Sequence, residues 1–317
     1  MSRIHEALKK AEEERAAVQN NEPMAAPDEA LISTPQWTAP KAVMTEPVIE
    51  QTLPASPRTP GFLRFDDIRA HCSKPEWHLD PNVNVFFNPT LSAHGAEQFR
   101  TLRSRLYQLR ATQQLRTLLV TSSVPGEGKT FAVANLAQAI IRQPDRRALI
   151  IDADLRCARV HSVLGAPAAP GLSDYLRGEA DEMSVIQHSM ENNLCFIPGG
   201  NEIANPSELL SNGRMRTLLE RVTPVFDWVI LDSPPCLPVA DAAILADMCD
   251  GVLLVVRAGV TPAPTVQRAR QELQSRNIVG VLLNAVQQSH LYGSYYYYQT
   301  YENAYIRNEI GATIKTA

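Results

Sequence analysis

Between residues 117 and 142 the chain passes from a short apolar stretch, 117–121, through Ser122-Ser-Val-Pro-Gly-Glu-Gly-Lys-Thr130, into a stretch with helical periodicity, 129–142. A strand, a glycine-bearing loop ending in Lys-Thr and a helix, in that order, restrict the possible fold more than any other feature. The glycines let backbone N–H groups turn inward, and the helix start adds the positive end of its dipole, so the loop is shaped to hold phosphate. This pattern makes Ser123, Pro125, Gly126, Glu127, Gly128, Lys129 and Thr130 the candidate nucleotide contacts. Lys129 is placed to bridge β- and γ-phosphates, and the Thr130 hydroxyl to hold Mg²⁺. Ser123 stands where G-x-x-x-x-G-K-T has its first glycine.

The rest of the chain fits that start. Predicted strands at 117–121, Ala148–Asp152, Leu194–Ile197, Trp228–Asp232, 252–256 and 279–283 alternate with predicted helices at 129–142, 206–221, 240–248 and 265–276. Continuous apolar strands alternating with helices imply an α/β fold: a mostly parallel, P-loop NTPase-like sheet with helices on both faces. The globular domain is expected at 91–290. Before it, Ile4, Ala7, Leu8 and Ala11 give residues 1–18 the spacing of an amphipathic helix, and 19–90 carries eleven prolines and reads as a mostly extended linker with 61–65 a candidate docking segment. After it, 291–317 is an expected flexible tail.

Composition excludes several classes. A net charge of −4 gives no global field toward nucleic acid or anionic lipid. Five cysteines without a C-x-x-C fit reduced thiols rather than a disulfide framework or zinc site. The charged N-terminus has no apolar signal core, and no stretch reaches the ~18 apolar residues of a spanning helix. The expectation is a cytoplasmic protein that reaches the inner membrane only through a partner.

Two predicted strands end in acids: Asp152-Ala-Asp154-Leu-Arg156 after one, Asp232-Ser-Pro-Pro after another. Ligands of open α/β sheets bind outside the carboxyl ends of the strands, so Asp152, Asp154 and Asp232 should converge on the loop. Carboxylates suit Mg²⁺, and one of them can accept a proton from an attacking hydroxyl. Glu97, Arg100 and Arg103 fall at i, i+3 and i+6 on a predicted helix and share a face, which by itself is a solvated ion-pair pattern. Seven of the nine tyrosines, Tyr292, Tyr295, Tyr296, Tyr297, Tyr298, Tyr301 and Tyr305, lie within fourteen residues of the tail. Such a segment has too few aliphatic neighbours to be a core strand.

Residues 123–130, 151–156 and 229–235 together resemble the Walker A, A′ and B motifs of bacterial tyrosine autokinases, the kinases of capsule and exopolysaccharide co-polymerase systems. Glu97-Gln-Phe-Arg-Thr-Leu-Arg103 is similar to their E-x-x-R-x-x-R motif, and Asn205-Pro-Ser-Glu-Leu-Leu210 and Leu283-Asn284 also match. The resemblance spans about 91–305, and Ser123 is normal for that family; the long leading segment resembles an exosortase-associated subset. It implies ATP and Mg²⁺ held by Lys129, Thr130, Asp152, Asp154 and Asp232, with Lys129, Asp152 and Asp154 catalytic, Asp152 activating the tyrosine and Arg156 steadying phosphate. It further implies a homo-oligomeric ring contacted through Glu97, Arg100 and Arg103, and phosphorylation of the tail tyrosines in a neighbour's site. Its implied partners are a membrane chain-length determinant (a polysaccharide co-polymerase protein) and a cognate tyrosine phosphatase.

Two other readings compete. Partitioning and division-site switch ATPases resemble K-G-G-x-G-K-T at the loop, with a second lysine where this chain has Val124. A nucleotide-binding regulator without kinase activity would bind ATP and leave its tail unmodified.

Overall fold

A computed structural model of the chain describes residues 63–88, 92–190 and 192–286. The expected 1–18 helix, the first two thirds of the expected linker and the tyrosine-rich tail lie outside the described residues. At the centre is a seven-stranded sheet: β1 (Thr117–Ser122), β2 (Ala148–Asp152), β3 (Gln187–His188), β4 (Leu194–Ile197), β5 (Trp228–Asp232), β6 (Gly251–Arg257) and β7 (Ile278–Asn284), in the order β3-β4-β2-β5-β1-β6-β7. Every pairing is parallel except β3 with β4.

The strands are apolar along their length because both faces are covered. Side chains alternate: Leu118, Val120, Ile150 and Ile230 enter one core, while Leu119, Ile151, Val229 and Leu231 enter the other. Over the first face lies the helix that follows the glycine loop, with Val133, Leu136, Ala137 and Ile140 buried against the sheet. Trp228 closes the base of this core, its ring edge-on to Tyr107 at 5.7 Å with the Arg110 guanidinium 5.4 Å from its centroid.

Ten helices are described: α1 (Phe65–His71), α2 (Ser92–Arg110), α3 (Lys129–Ile141), α4 (Val160–Leu164), α5 (Leu172–Arg177), α6 (Glu182–Val185), α7 (Pro206–Ser211), α8 (Arg214–Val222), α9 (Asp241–Ala246) and α10 (Ala263–Glu272). The single helix expected at 206–221 is two. Gly213 adopts φ 84°, a left-handed turn that ends α7 and starts α8 on a new axis. Helices α4 to α6 and strand β3 are two to six residues long, too short to show a period in sequence.

The domain boundary is the larger correction. Among the described residues, packing onto the sheet already begins with Leu63 and Phe65, ahead of the boundary expected at 91. Residues 63–88, expected as linker, form a strap folded onto the sheet. Phe65 and Ile68 of α1 are buried, with Phe65 edge-on to Phe226 at 5.8 Å. Beyond α1, Ser73 bridges to Gln187 and its carbonyl accepts the His188 N–H at 2.8 Å, so the strap adds to the β3 edge. It next crosses to α4, where the His78 N–H donates to the Gly165 carbonyl at 3.3 Å, and a side chain at Gly165 would strike His78 main chain at 2.1 Å. Its end is bolted to α3: fully buried Asn135 accepts the Val85 N–H at 2.8 Å and donates to the carbonyls of Val83 and Phe131.

Burying Phe65, Ile68 and Val85 is worth about 2–5 kcal/mol per large side chain, together comparable to the ~5–15 kcal/mol net stability of a whole domain. A chain shortened to begin at 91 is therefore expected to aggregate or melt far below the full chain, whereas one beginning at 58 keeps its melting temperature. Thermal denaturation with size-exclusion chromatography checks this; equal stability of the two would refute the boundary.

Candidate nucleotide site

The loop lies at the carboxyl end of β1 and enters α3 at Lys129. Gly126 and Gly128 adopt φ 81° and 91°, conformations that side-chain-bearing residues avoid. Gly128 is needed twice over, since a Cβ there would lie 2.0 Å from the Asn284 Nδ2. The first N–H groups of α3 have no partner within the helix, as at every helix start, and face the loop's concavity with the positive dipole end.

β2 and β5 are neighbours in register, and Asp152 is the direct partner of Asp232. Both are buried, at 0% and 1% exposure. The Thr130 hydroxyl donates to Asp232 Oδ2 at 2.6 Å, and the Val160 N–H donates to Asp152 Oδ2 at 3.0 Å. The other oxygen of each carboxylate, Oδ1, is buried and accepts no hydrogen bond from the protein among the described residues. Burial pushes Asp232 up to about 7, against the lowering influence of the Thr130 hydroxyl and Lys129. Burial and then the facing Asp232 hold Asp152 well above the usual carboxylate range. Asp154 is raised by burial, partly offset by Lys129. Lys129, 8% exposed at the start of α3, is thus the cation that Asp154 and Asp232 share.

This donor set fits a hard divalent cation. Two bare carboxylate oxygens and a hydroxyl whose hydrogen is engaged by Asp232, leaving its lone pairs outward, are oxygen ligands in the number Mg²⁺ takes from protein. Asp154 is near enough to raise both members of the pair, although among the described residues no three acidic, histidine or cysteine side chains close into a metal cage. Asp154 also caps its own turn, accepting the Cys157 N–H at 3.1 Å.

Other expected site residues are used differently. The Arg156 guanidinium, expected on phosphate, donates from Nε and Nη2 to Asp241 at 2.7 and 3.1 Å and from Nη2 to the Ser207 hydroxyl at 3.0 Å. Ser207 also donates to Asp241, which is wholly buried. Glu127, expected among the nucleotide contacts, is 1% exposed, and its carboxylate is engaged by Val124, Arg257 and Thr261. Ser123 is buried with its hydroxyl unpartnered, and Pro125 is exposed. On α2, Glu97 and Arg100 form an exposed ion pair at 3.0 Å, but Arg103 turns inward and donates to the Ala139 carbonyl of α3 at 2.6 Å. Glu97 and Arg100 are exposed, and Arg103 is half-buried against α3. The seven tail tyrosines lie outside the described residues.

Asp241, Ser207, Thr261 and Asn284 complete the site's surroundings. Ser207 and Asn284 sat within recognised motifs without a stated role. Asp241 and Thr261 carried no signal beyond being an acid and a hydroxyl near predicted helix starts.

Strand, glycine loop, Lys-Thr helix start and acidic neighbouring strand ends define a phosphate-loop nucleotide-binding domain. A family profile described as an AAA domain matches residues 116–267. The tyrosine-protein kinase YwqD of Bacillus subtilis (strain 168) is 34% identical over 210 residues, 66% of this chain and 88% of that protein. The tyrosine-protein kinase etk of Escherichia coli (strain K12) is 40% identical over 201 residues, 63% of this chain but 27% of that protein's length. The solved kinase domain of the E. coli tyrosine kinase ETK superposes with a TM-score of 0.61 at 36% identity, covering 66% of this chain and 82% of that domain. The chain belongs to the bacterial tyrosine-protein kinase family. Among the described residues no helix is long and apolar enough to cross a membrane.

The buried acid pair has a pH signature. Its folded-state carboxyls hold protons to higher pH than unfolded ones, so they weaken folding increasingly as pH rises from about 4 through 7. Without Mg²⁺ or nucleotide, Asp152→Asn is expected to raise the melting temperature near pH 8 by at least about 2–4 °C and to change it little near pH 4.5. A melting difference independent of pH would contradict the assignment.

Proposed function

We propose that the chain is an ATP- and Mg²⁺-dependent protein-tyrosine autokinase that phosphorylates the tyrosine cluster at 292–305, in trans within a homo-oligomeric ring. The observation that carries this reading is the Thr130–Asp232 hydrogen bond beside the unsatisfied Asp152 carboxylate, at the mouth of the glycine loop. Kinship with tyrosine-protein kinases supplies the acceptor class, and the tail supplies seven acceptors.

In this reading the loop N–H groups and Lys129 hold the triphosphate, with Thr130, Asp232 and Asp152 the cation's protein ligands. Mg²⁺ held by these residues would neutralise charge that develops on the phosphates. A tyrosine hydroxyl is a poor nucleophile at its ordinary pKa of about 10, so it needs a positioned base. The Asp152 carboxylate takes the phenolic proton as the oxygen bonds the γ-phosphorus and the bond to the β-phosphate oxygen breaks, releasing ADP. Tethering raises the local concentration of tyrosine to about the millimolar range. Each phosphate adds about −1.5 to −2 charge, so several within fourteen residues repel one another and the acidic site; the tail leaves and the ring loosens. Glu97 and Arg100, exposed on α2, are the parts of the E-x-x-R-x-x-R motif free to meet a neighbouring subunit. Through a membrane chain-length determinant, reached by the leading segment, this cycle would govern capsule or exopolysaccharide polymerisation, with a tyrosine phosphatase resetting it.

A switch ATPase is the weaker reading, because Val124 occupies the position of the second loop lysine. Incubating the chain and its Lys129→Met variant with Mg-ATP, then mapping phosphotyrosine by mass spectrometry, distinguishes them. Modification within 292–305 is expected in the unaltered chain and about 10²–10³-fold slower in the variant, the usual loss on removing a charge aimed at the transition state. No phosphotyrosine there, even with the partner's cytosolic segment added, would overturn the kinase reading.

A further inference from the structure

Glu127 lies in the phosphate loop but does not face the phosphate position. Its carboxylate is buried, and unlike Asp152 and Asp232 it has both oxygens hydrogen-bonded, which offsets the cost of burial. Oε2 accepts the Val124 N–H at 2.9 Å, closing the loop on itself three residues back. Oε1 accepts the Thr261 hydroxyl at 2.6 Å and the Arg257 N–H at 3.2 Å, reaching the end of β6 and the turn into α10. The main-chain carbonyl of the same residue accepts the Asn284 Nδ2 at 2.8 Å, reaching the end of β7. Of the four hydrogen bonds this one residue accepts, three fix the loop to the ends of β6 and β7, which supply none of the acid pair, and one closes the loop on itself.

We infer that Glu127 is the positioning residue of the phosphate loop, and that Thr261 and Asn284 complete a latch holding the loop in its phosphate-binding curvature. The inference rests on the nucleotide reading above and goes beyond it by giving Glu127 a role without ligand contact. The Val124 N–H is engaged by the carboxylate, so phosphate is read by N–H groups farther toward α3. Gly126 and Gly128, on either side of Glu127, both take left-handed conformations. A loop turning twice through such conformations needs an external tether to stay in one shape. β7 ends at Asn284, so the amide that holds the loop sits at the close of the last strand in the sequence.

A positioning role predicts weaker nucleotide binding with intact chemistry, because Lys129, Asp152 and Asp232 do not take part in the latch. In the full chain, Thr261→Val and Glu127→Gln are each expected to raise the Mg-ADP dissociation constant and the KM for ATP about tenfold, the effect of one lost hydrogen bond to a charged group, with kcat changed less than about twofold. Thr261→Ser should restore unaltered affinity, and the Glu127→Gln/Thr261→Val pair should be little worse than either alone, since both remove one bond. Calorimetric titration with Mg-ADP and autophosphorylation rates over a range of ATP concentrations read these out. A lowered melting temperature with unchanged dissociation constant would make Glu127 merely structural and overturn the latch, as would a fall in kcat at constant KM. No Mg-ADP binding by the unaltered chain would overturn the nucleotide reading and the latch together.

Discussion

Two carboxylates from adjacent parallel strands, Asp152 and Asp232, are buried side by side, and the rest of the site answers to that pair. Burial is the main reason both acids are pushed upward, and like charge adds to it, Asp232 acting on Asp152 and Asp154 on Asp232. The protein offsets this only in part, with one hydroxyl, one backbone N–H and the nearby Lys129. The unpartnered oxygen of each acid is what suits the pair to the proposed cation and Asp152 to the proposed role of base. A more stable arrangement would neutralise the pair, and would also abolish the chemistry proposed for it.

Keeping such a pair in place demands a rigid surround. The strand register aligns the acids, the cores on both sheet faces hold the strands, and Glu127 and Asn284 secure the loop opposite. The strap works at greater distance. Asn135, on the same helix as Lys129 and Thr130, grips Val83 and Val85, so the segment leading into the domain is joined to the helix that carries the loop's chemistry. A partner acting on the leading segment would find in that junction a physical route to the site.

Much of this was legible in sequence. The loop, the acidic strand ends and the alternation of apolar strands with helices are local patterns, and a parallel sheet forces their strand ends to one edge. What stayed hidden depends on partners distant in the chain. Phe65, Ile68 and Cys72 stand at helical spacing, but a seven-residue helix among eleven prolines gives too little periodicity to outweigh a linker composition. Arg103 shares a helix face with Glu97 and Arg100 by spacing alone, yet the Ala139 carbonyl turns it inward. Arg156 sits beside two aspartates in sequence and pairs with a third, Asp241, that sequence leaves 85 residues away. Glu127 belongs to the loop by position and to its scaffold by hydrogen bonding, a distinction no motif encodes.

The central claim is that the acid pair awaits a cation held with nucleotide, and thermal melting tests it most directly. Mg²⁺ added with ADP should raise the melting temperature well beyond ADP alone, corresponding to about 2.7 kcal/mol at a hundredfold excess over the dissociation constant. That extra gain should vanish in Asp232→Asn. The same stabilisation by ADP with and without Mg²⁺, or a gain that survives the substitution, would contradict the account.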